Sequence, residues 1–382
     1  MVCSAICISA SNIATEFQLV LHAVSAILSM LMDGLPVTMT TTAADMDKAA
    51  DATTFQADTL MHSGPFEAWK IAAFALFIPI NVLAMTGNIL TIAAFFKFQN
   101  LQDATNCLIC SQSFADVGSA AVSWIYVFIT YIPAGNSYIT THKYACLIYL
   151  WTSCAYLTAS SFSITGISIE RSIAVILPFV NMKRGKKRFT LWSITLSWVF
   201  IIMLTSLPTL GLNRWAAGTQ CNVYLVYAYP VLSYSIIFPM FVILGITAFL
   251  NAGIGLHVLK RQLQRSKKIK PRSDQHEAST SVGSIDTTTT RRVPQSMKSS
   301  NRRLTRMLLM VVGTFYMCWL PYLSITWFSF SKPFMYVSMP NLIITHEFTK
   351  FILLLSGALN PLIYAQKNAH FKKAFKHLLG RQ

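Results

Sequence analysis

The residues of this chain that could do chemistry are few, and most of them lie inside apolar runs. Asp116 falls in the middle of SQSFADVGSAAV, Asn88 follows Gly87, Lys350 stands in FTKFILLL, and Glu170 and Arg171 close a run that begins near Cys146. A carboxylate in hydrocarbon is costly unless it is paired, hydrated or protonated. Asp116 therefore reads as a polar knot holding the fold, as an ion or proton site, or as both. The adjacent charges of Glu170 and Arg171 must neutralise one another or meet a partner, because an uncompensated buried charge is strongly destabilising. Catalysis would need an acid–base pair, a nucleophile with its base or a metal triad, and the sequence shows none of these. Cys107 and Cys110 match C-x-x-C, but inside an apolar run they read as small buried groups, as do Cys154 and Cys318.

The elements that position these groups are long and apolar. A mean hydropathy of +0.49 with only 12% charged residues does not suit a soluble domain. The apolar residues come in blocks long enough to cross a bilayer. From Cys146 to Arg171 a helix would extend about 37 Å, more than the roughly 30 Å hydrocarbon layer. Six more blocks fit the same reading, near 70–97, 104–131, 189–210, 225–257, 304–328 and 343–366. The expected fold is an all-α membrane protein, a seven-transmembrane helix bundle with a short amphipathic eighth helix at 368–379. Pro321 should kink the sixth span, and Pro239 should free a carbonyl in the fifth.

Charge placement sets the topology. The formal charge of +17 could suggest nucleic acid, but its distribution excludes it. Half of the fourteen acidic residues (Glu16, Asp33, Asp45, Asp47, Asp51, Asp58 and Glu67) fall in residues 1–70, beside only Lys48 and Lys70. Most remaining basic residues occupy alternate connections and the C-terminal tail, as the positive-inside rule expects. Residues 1–69 then form an extracellular region, largely disordered, with a late signal segment or an overlong gene start as the alternatives. Residues 70–366 form the membrane domain, with a long intracellular loop at 258–303 whose hydroxyls beside Arg and Lys suit kinases. Residues 367–382 form the amphipathic helix and a short tail against anionic lipid. Cys146 and Cys221 both fall at outer ends, where oxidation is permitted, and are the expected disulfide.

Taken together, Gly87-Asn88, Asp116, Cys146, Glu170-Arg171-Ser172, Trp198, Pro239, Cys318-Trp319-Leu320-Pro321 and Asn360-Pro361-x-x-Tyr364, followed by Phe371, resemble the rhodopsin-like (class A) G-protein-coupled receptors. The likeness covers residues 70–380. It implies that Glu170, Arg171, Pro239, Phe315, Pro321, Asn360, Pro361 and Tyr364 form the switch that engages a heterotrimeric G protein, with arrestin and receptor kinases as further partners. It implies no cofactor beyond an allosteric sodium ion, held by Asp116, Ser160, Ser356 and Asn360 with Asn88 nearby. Four positions around these sites depart from the family pattern: Ser172, Tyr156 beside the sodium site in place of a polar amide, Thr247 in place of a tyrosine, and Ser161 in place of a branched aliphatic residue.

The same resemblance implies a ligand pocket of Ser153, Tyr156, Leu157, Ser235, Trp319, Tyr322, Thr326 and Lys350. Ser153 stands where receptors for amines carry aspartate, so simple amines lose their charge-assisted anchor. Leu354 replaces the lysine that would carry retinal. LQDATN, LTASS and LPTLGLN are similar to wording in adenosine receptors, yet Thr326 and Leu354 replace the residues that grip a purine. The chain thus reads as a distant relative of the amine, adenosine and melatonin branches. Lys350 either meets an anionic ligand or snorkels to the surface. The expected function is binding of a small-molecule agonist from outside and activation of a G protein. The alternatives are a receptor that signals or heterodimerises without a ligand of its own, and a peptide receptor.

Overall fold

The computed structural model describes residues 65–176, 186–228, 236–268, 295–331 and 340–380. Most of the 1–69 region, the start of the basic loop at 182–185, Pro230, Ser235, the Ser/Thr-rich 279–290 stretch and the 332–339 connection lie outside the described residues. Seven helices long and apolar enough to cross a membrane occur among the described residues. They are α1 (Pro65–Lys97), α2 (Ala104–Tyr131), α3 (Lys143–Ile176), α4 (Lys186–Ser206), α5 (Phe238–Lys268), α6 (Gln295–Ser331) and α7 (Pro340–Lys367), and the amphipathic α8 (Ala369–Leu378) follows. The fold is the expected seven-transmembrane bundle.

Local sequence explains where several elements begin. Asp103 caps α2, its carboxylate accepting from the Asn106 amide at 2.7 Å. Asn368 caps α8, accepting from the His370 and Phe371 amides. Pro133 opens a short helix, Pro133–Thr141, in the outer connection between α2 and α3, where sequence reading places no element. The fifth span also differs from expectation. Residues 223–226 form one helical turn and Tyr227 bridges Asn213, so the expected start near 225 is not continuous with the span; residues 229–235 lie outside the described residues, and a wide helical turn at 236–237 leads into α5. Pro239 follows this wide turn, near the start of the α-helical part of α5. Both α6 and α7 stay helical across Pro321 and Pro361.

The described structure divides into two compact units, and α1, α6 and α7 each contribute to both. In one unit (to Ile78, with Thr314–Ser356), Phe77 and Phe348 meet Phe351 edge-on. The second unit (Pro79–Gly313 with Gly357–Gln382) is built around α3, which packs chiefly on α2 and α5. Cys146 and Cys221 are joined, with their Cα atoms 5.7 Å apart. Burial pushes the Tyr227 phenol above its ordinary value, so it stays protonated in the outer connection. At the basic ends, Phe371, Ala374 and Phe375 of α8 are buried with Ala94, Leu101 and Tyr364, while Lys372, Lys373 and Lys376 stay exposed. Leu379, just beyond the end of α8, is exposed.

Close approach of α2 to α3 depends on Gly118, since a Cβ there would collide with the Tyr156 ring. That ring lies edge-on to Phe114 and Trp198, at 6.5 and 6.2 Å. Gly118→Ala should destabilise the receptor by about 1–3 kcal/mol, as overpacking does. Gly118→Ala/Tyr156→Ala should recover part of the loss, as read by thermal melting in detergent.

Candidate functional site

At the inner end of α3, Arg171 pairs with its neighbour Glu170 at 2.6 Å, and both side chains are buried. Its guanidinium also donates to the Thr105 hydroxyl, fastening α3 to α2. Beside it lies a small cleft lined by Ile167, Ser168, Arg171, Asn251, Ile254, Leu309 and Val312, from α3, α5 and α6. The charge pair is thus closed on itself at the edge of a cleft between three helices.

The seam above the cleft is polar. The Thr165 and Thr247 hydroxyls meet at 2.7 Å, and Asn251 donates to the Ser168 hydroxyl at 2.8 Å, both between α3 and α5. Thr247, in place of the tyrosine of the family pattern, is thus engaged by α3. Tyr364 is fully buried, its ring 5.7 Å from Phe371.

Deeper in the same unit, Asp116 gathers donors from three helices. One carboxylate oxygen accepts from Gln112 Nε2 at 3.0 Å and from the Ser160 hydroxyl at 3.1 Å, and the other accepts from Asn360 Nδ2 at 3.0 Å. Asn88 donates to the Ala84 and Gly357 carbonyls at 2.8 and 2.9 Å. The absence of a side chain at Gly357 matters here, because a Cβ would stand 3.3 Å from the Asp116 carboxyl carbon. Ser356 donates to the Leu353 carbonyl.

Of the residues expected to meet ligand, Ser153 donates back to the Tyr149 carbonyl at 2.8 Å, and Leu157 is partly buried. Tyr156 is drawn into the seam of α2, α3 and α4 because Gly118 opens a slot for its ring. Ser235 lies outside the described residues. In the other unit, Trp319 is buried with its ring 5.0 Å from Phe315, Tyr322 stacks on His346 at 5.5 Å, and Thr326 is buried. Lys350 pairs with Glu347 at 2.7 Å, which balances its charge within α7.

The profile described as "7 transmembrane receptor (rhodopsin family)" matches residues 87–364, from Gly87 through Tyr364. The chain belongs to this family. Among curated relatives, it is 25% identical to the octopamine receptor beta-2R of Drosophila melanogaster over 81% of this chain and 61% of that receptor. It is 24% identical to the human thyrotropin-releasing hormone receptor over 81% of this chain and 78% of that receptor. It is 27% identical to a D(5)-like dopamine receptor of Takifugu rubripes over 78% and 65%. The chain thus spans less than two thirds of the octopamine and dopamine receptors. As a rhodopsin-family receptor it is a multi-pass protein of the plasma membrane and not an enzyme.

Three residues of this receptor's polar framework escape sequence reading: Gln112, Asn251 and Glu347. Each lies one helical turn from a residue that is singled out (Asp116, Thr247 and Lys350), and that spacing is the signal that finds them. Thr165→Val and Thr247→Val should each cost about 1 kcal/mol of stability. Their combination should cost less than the sum, because the two hydroxyls serve one bond. Melting of the four receptors in one detergent checks this.

Proposed function

We propose that this receptor takes a small-molecule agonist from the outer side and answers by driving nucleotide exchange on a heterotrimeric G protein. The observation that carries the reading is the buried Arg171–Glu170 pair at the edge of the inner cleft. The C-terminal helix of a G protein offers backbone carbonyls at its end, suited to accept from Arg171. Opening α6 away from α3 would trade the internal pair for that contact. Glu170, Pro239, Phe315, Pro321, Asn360, Pro361 and Tyr364 are proposed as the moving parts around it. Arrestin and receptor kinases would use the same inner face, and the exposed lysines of α8 would meet anionic lipid.

For the agonist, Ser153 in α3 and the neutralised Lys350 in α7 favour an uncharged aromatic molecule over an amine or an anion. Trp319, Tyr322 and Thr326 are the proposed contacts from α6. A peptide agonist is the second reading, favoured by the thyrotropin-releasing hormone receptors, which match over a larger share of their length than the amine receptors do.

The test is a panel of G-protein activation assays in cells, with compound and peptide libraries applied to parent and Arg171→Ala at matched surface expression. Arg171→Ala should lower agonist-stimulated activation by at least about tenfold, equivalent to ~1.4 kcal/mol. High basal output that no ligand raises would instead support signalling without a ligand. Lys350→Gln/Glu347→Gln removes both charges and should leave agonist potency within about threefold, under ~1 kcal/mol. A loss beyond tenfold would make the pair part of the recognition of a charged agonist.

A further inference from the structure

The family resemblance implies a sodium ion at Asp116, and the donor set here does not fit one. A hard cation binds oxygen lone pairs at short range, roughly 2.0–2.6 Å for the ions whose geometry is best defined. The two oxygens it would need to share first are the Asp116 carboxylate and the Ser160 hydroxyl. In this receptor both already face one group, the side-chain amide nitrogen of Gln112. Gln112 Nε2 donates to Asp116 at 3.0 Å and also to the Ser160 hydroxyl, which in turn donates to the same carboxylate oxygen. The three side chains close a ring of N–H and O–H donors. Asn360 covers the second carboxylate oxygen.

The orientation of the Gln112 amide follows from its neighbours. Turned the other way, its Oε1 would face the carboxylate and leave oxygen against oxygen. As it stands, Oε1 is buried with no hydrogen-bond partner among the described residues. An unpaired buried carbonyl is costly, and the two contacts made by Nε2 are what offset it. Gln112 lies one turn before Asp116 on α2, the spacing that brings an amide alongside a carboxylate.

We infer that the Gln112 carboxamide occupies the cation's place, so that this receptor carries its own built-in substitute for the ion and is insensitive to sodium. The inference rests on the receptor fold but not on the proposed agonist, and it is tested without one. Purified receptor in nanodiscs is melted in sodium chloride and in choline chloride at equal ionic strength, as parent, Gln112→Leu, Gln112→Ala and Gln112→Leu/Asp116→Asn. The parent should melt at the same temperature in both salts. Gln112→Leu and Gln112→Ala, which vacate the position, should melt about 2–4 °C higher in sodium, the shift that one weakly bound ligand gives a protein of this size. The double variant should lose that gain.

Sodium-dependent melting of the parent that Asp116→Asn abolishes would overturn the inference. So would folded Gln112 variants that show no response to sodium. Should neither variant fold, sodium-23 relaxation measured on the parent and on Asp116→Asn decides, and saturable binding by the parent alone would refute the proposal. Failure of every agonist assay with sodium-insensitive melting would leave this inference standing and the proposed ligand class in error.

Discussion

Asp116 is the group that the membrane-embedded structure must satisfy before anything else. Its two oxygens cannot be left bare in a medium without water, because each unmet polar group there costs several kcal/mol. Four bonds solve the problem: two from Gln112 and Ser160 onto one oxygen, one from Asn360 onto the other, and the link between Gln112 and Ser160. Since these side chains come from α2, α3 and α7, one buried charge fixes the register of three helices. Gly357, which leaves room for the carboxyl group, and Asn88, which fastens α1 to the same stretch of α7, follow from that arrangement.

Along α3 the same requirement recurs at helical spacing. Ser160, Ser163, Thr165, Ser168 and Arg171 turn in succession towards α2 and α5, and each finds a polar partner on a neighbouring helix. Hydroxyls are small, and those of Thr165 and Ser168 also donate to a carbonyl one turn back, so they add specific contacts without separating the helices. This gives α3 a polar spine in an otherwise apolar bundle. Its inner end is closed by the Arg171–Glu170 pair and by the bond from Arg171 to Thr105.

Most of the fold was legible in sequence because the bilayer imposes it: span length, the number of spans and the sidedness of charge leave little freedom. The Cys146–Cys221 bridge followed from the same sidedness. The short helix at Pro133–Thr141 and the bridge between Tyr227 and Asn213 were not legible, since outer connections answer to packing and to the disulfide rather than to the hydrocarbon layer. Within the candidate site, Asp116 was readable because a carboxylate in an apolar run demands partners, and Ser160 and Asn360 were grouped with it through the family resemblance. Gln112 was not, because an amide next to hydroxyls in SQSF reads as ordinary polar filling until its distance to Asp116 is known. The packing of Tyr156 was not legible either, because the slot that Gly118 on α2 opens for its ring leaves no mark in the sequence around Tyr156.

The disulfide carries a mechanical consequence. Cys146 stands near the outer start of α3, and Arg171 lies on the same unbroken helix near its inner finish. Cys221 belongs to the segment that runs directly into the turn Val223–Val226 and the bridge between Tyr227 and Asn213. A tug on that outer segment is therefore delivered through a covalent bond to the head of a stiff rod whose foot bears the guanidinium. No side chain in between has to relay it.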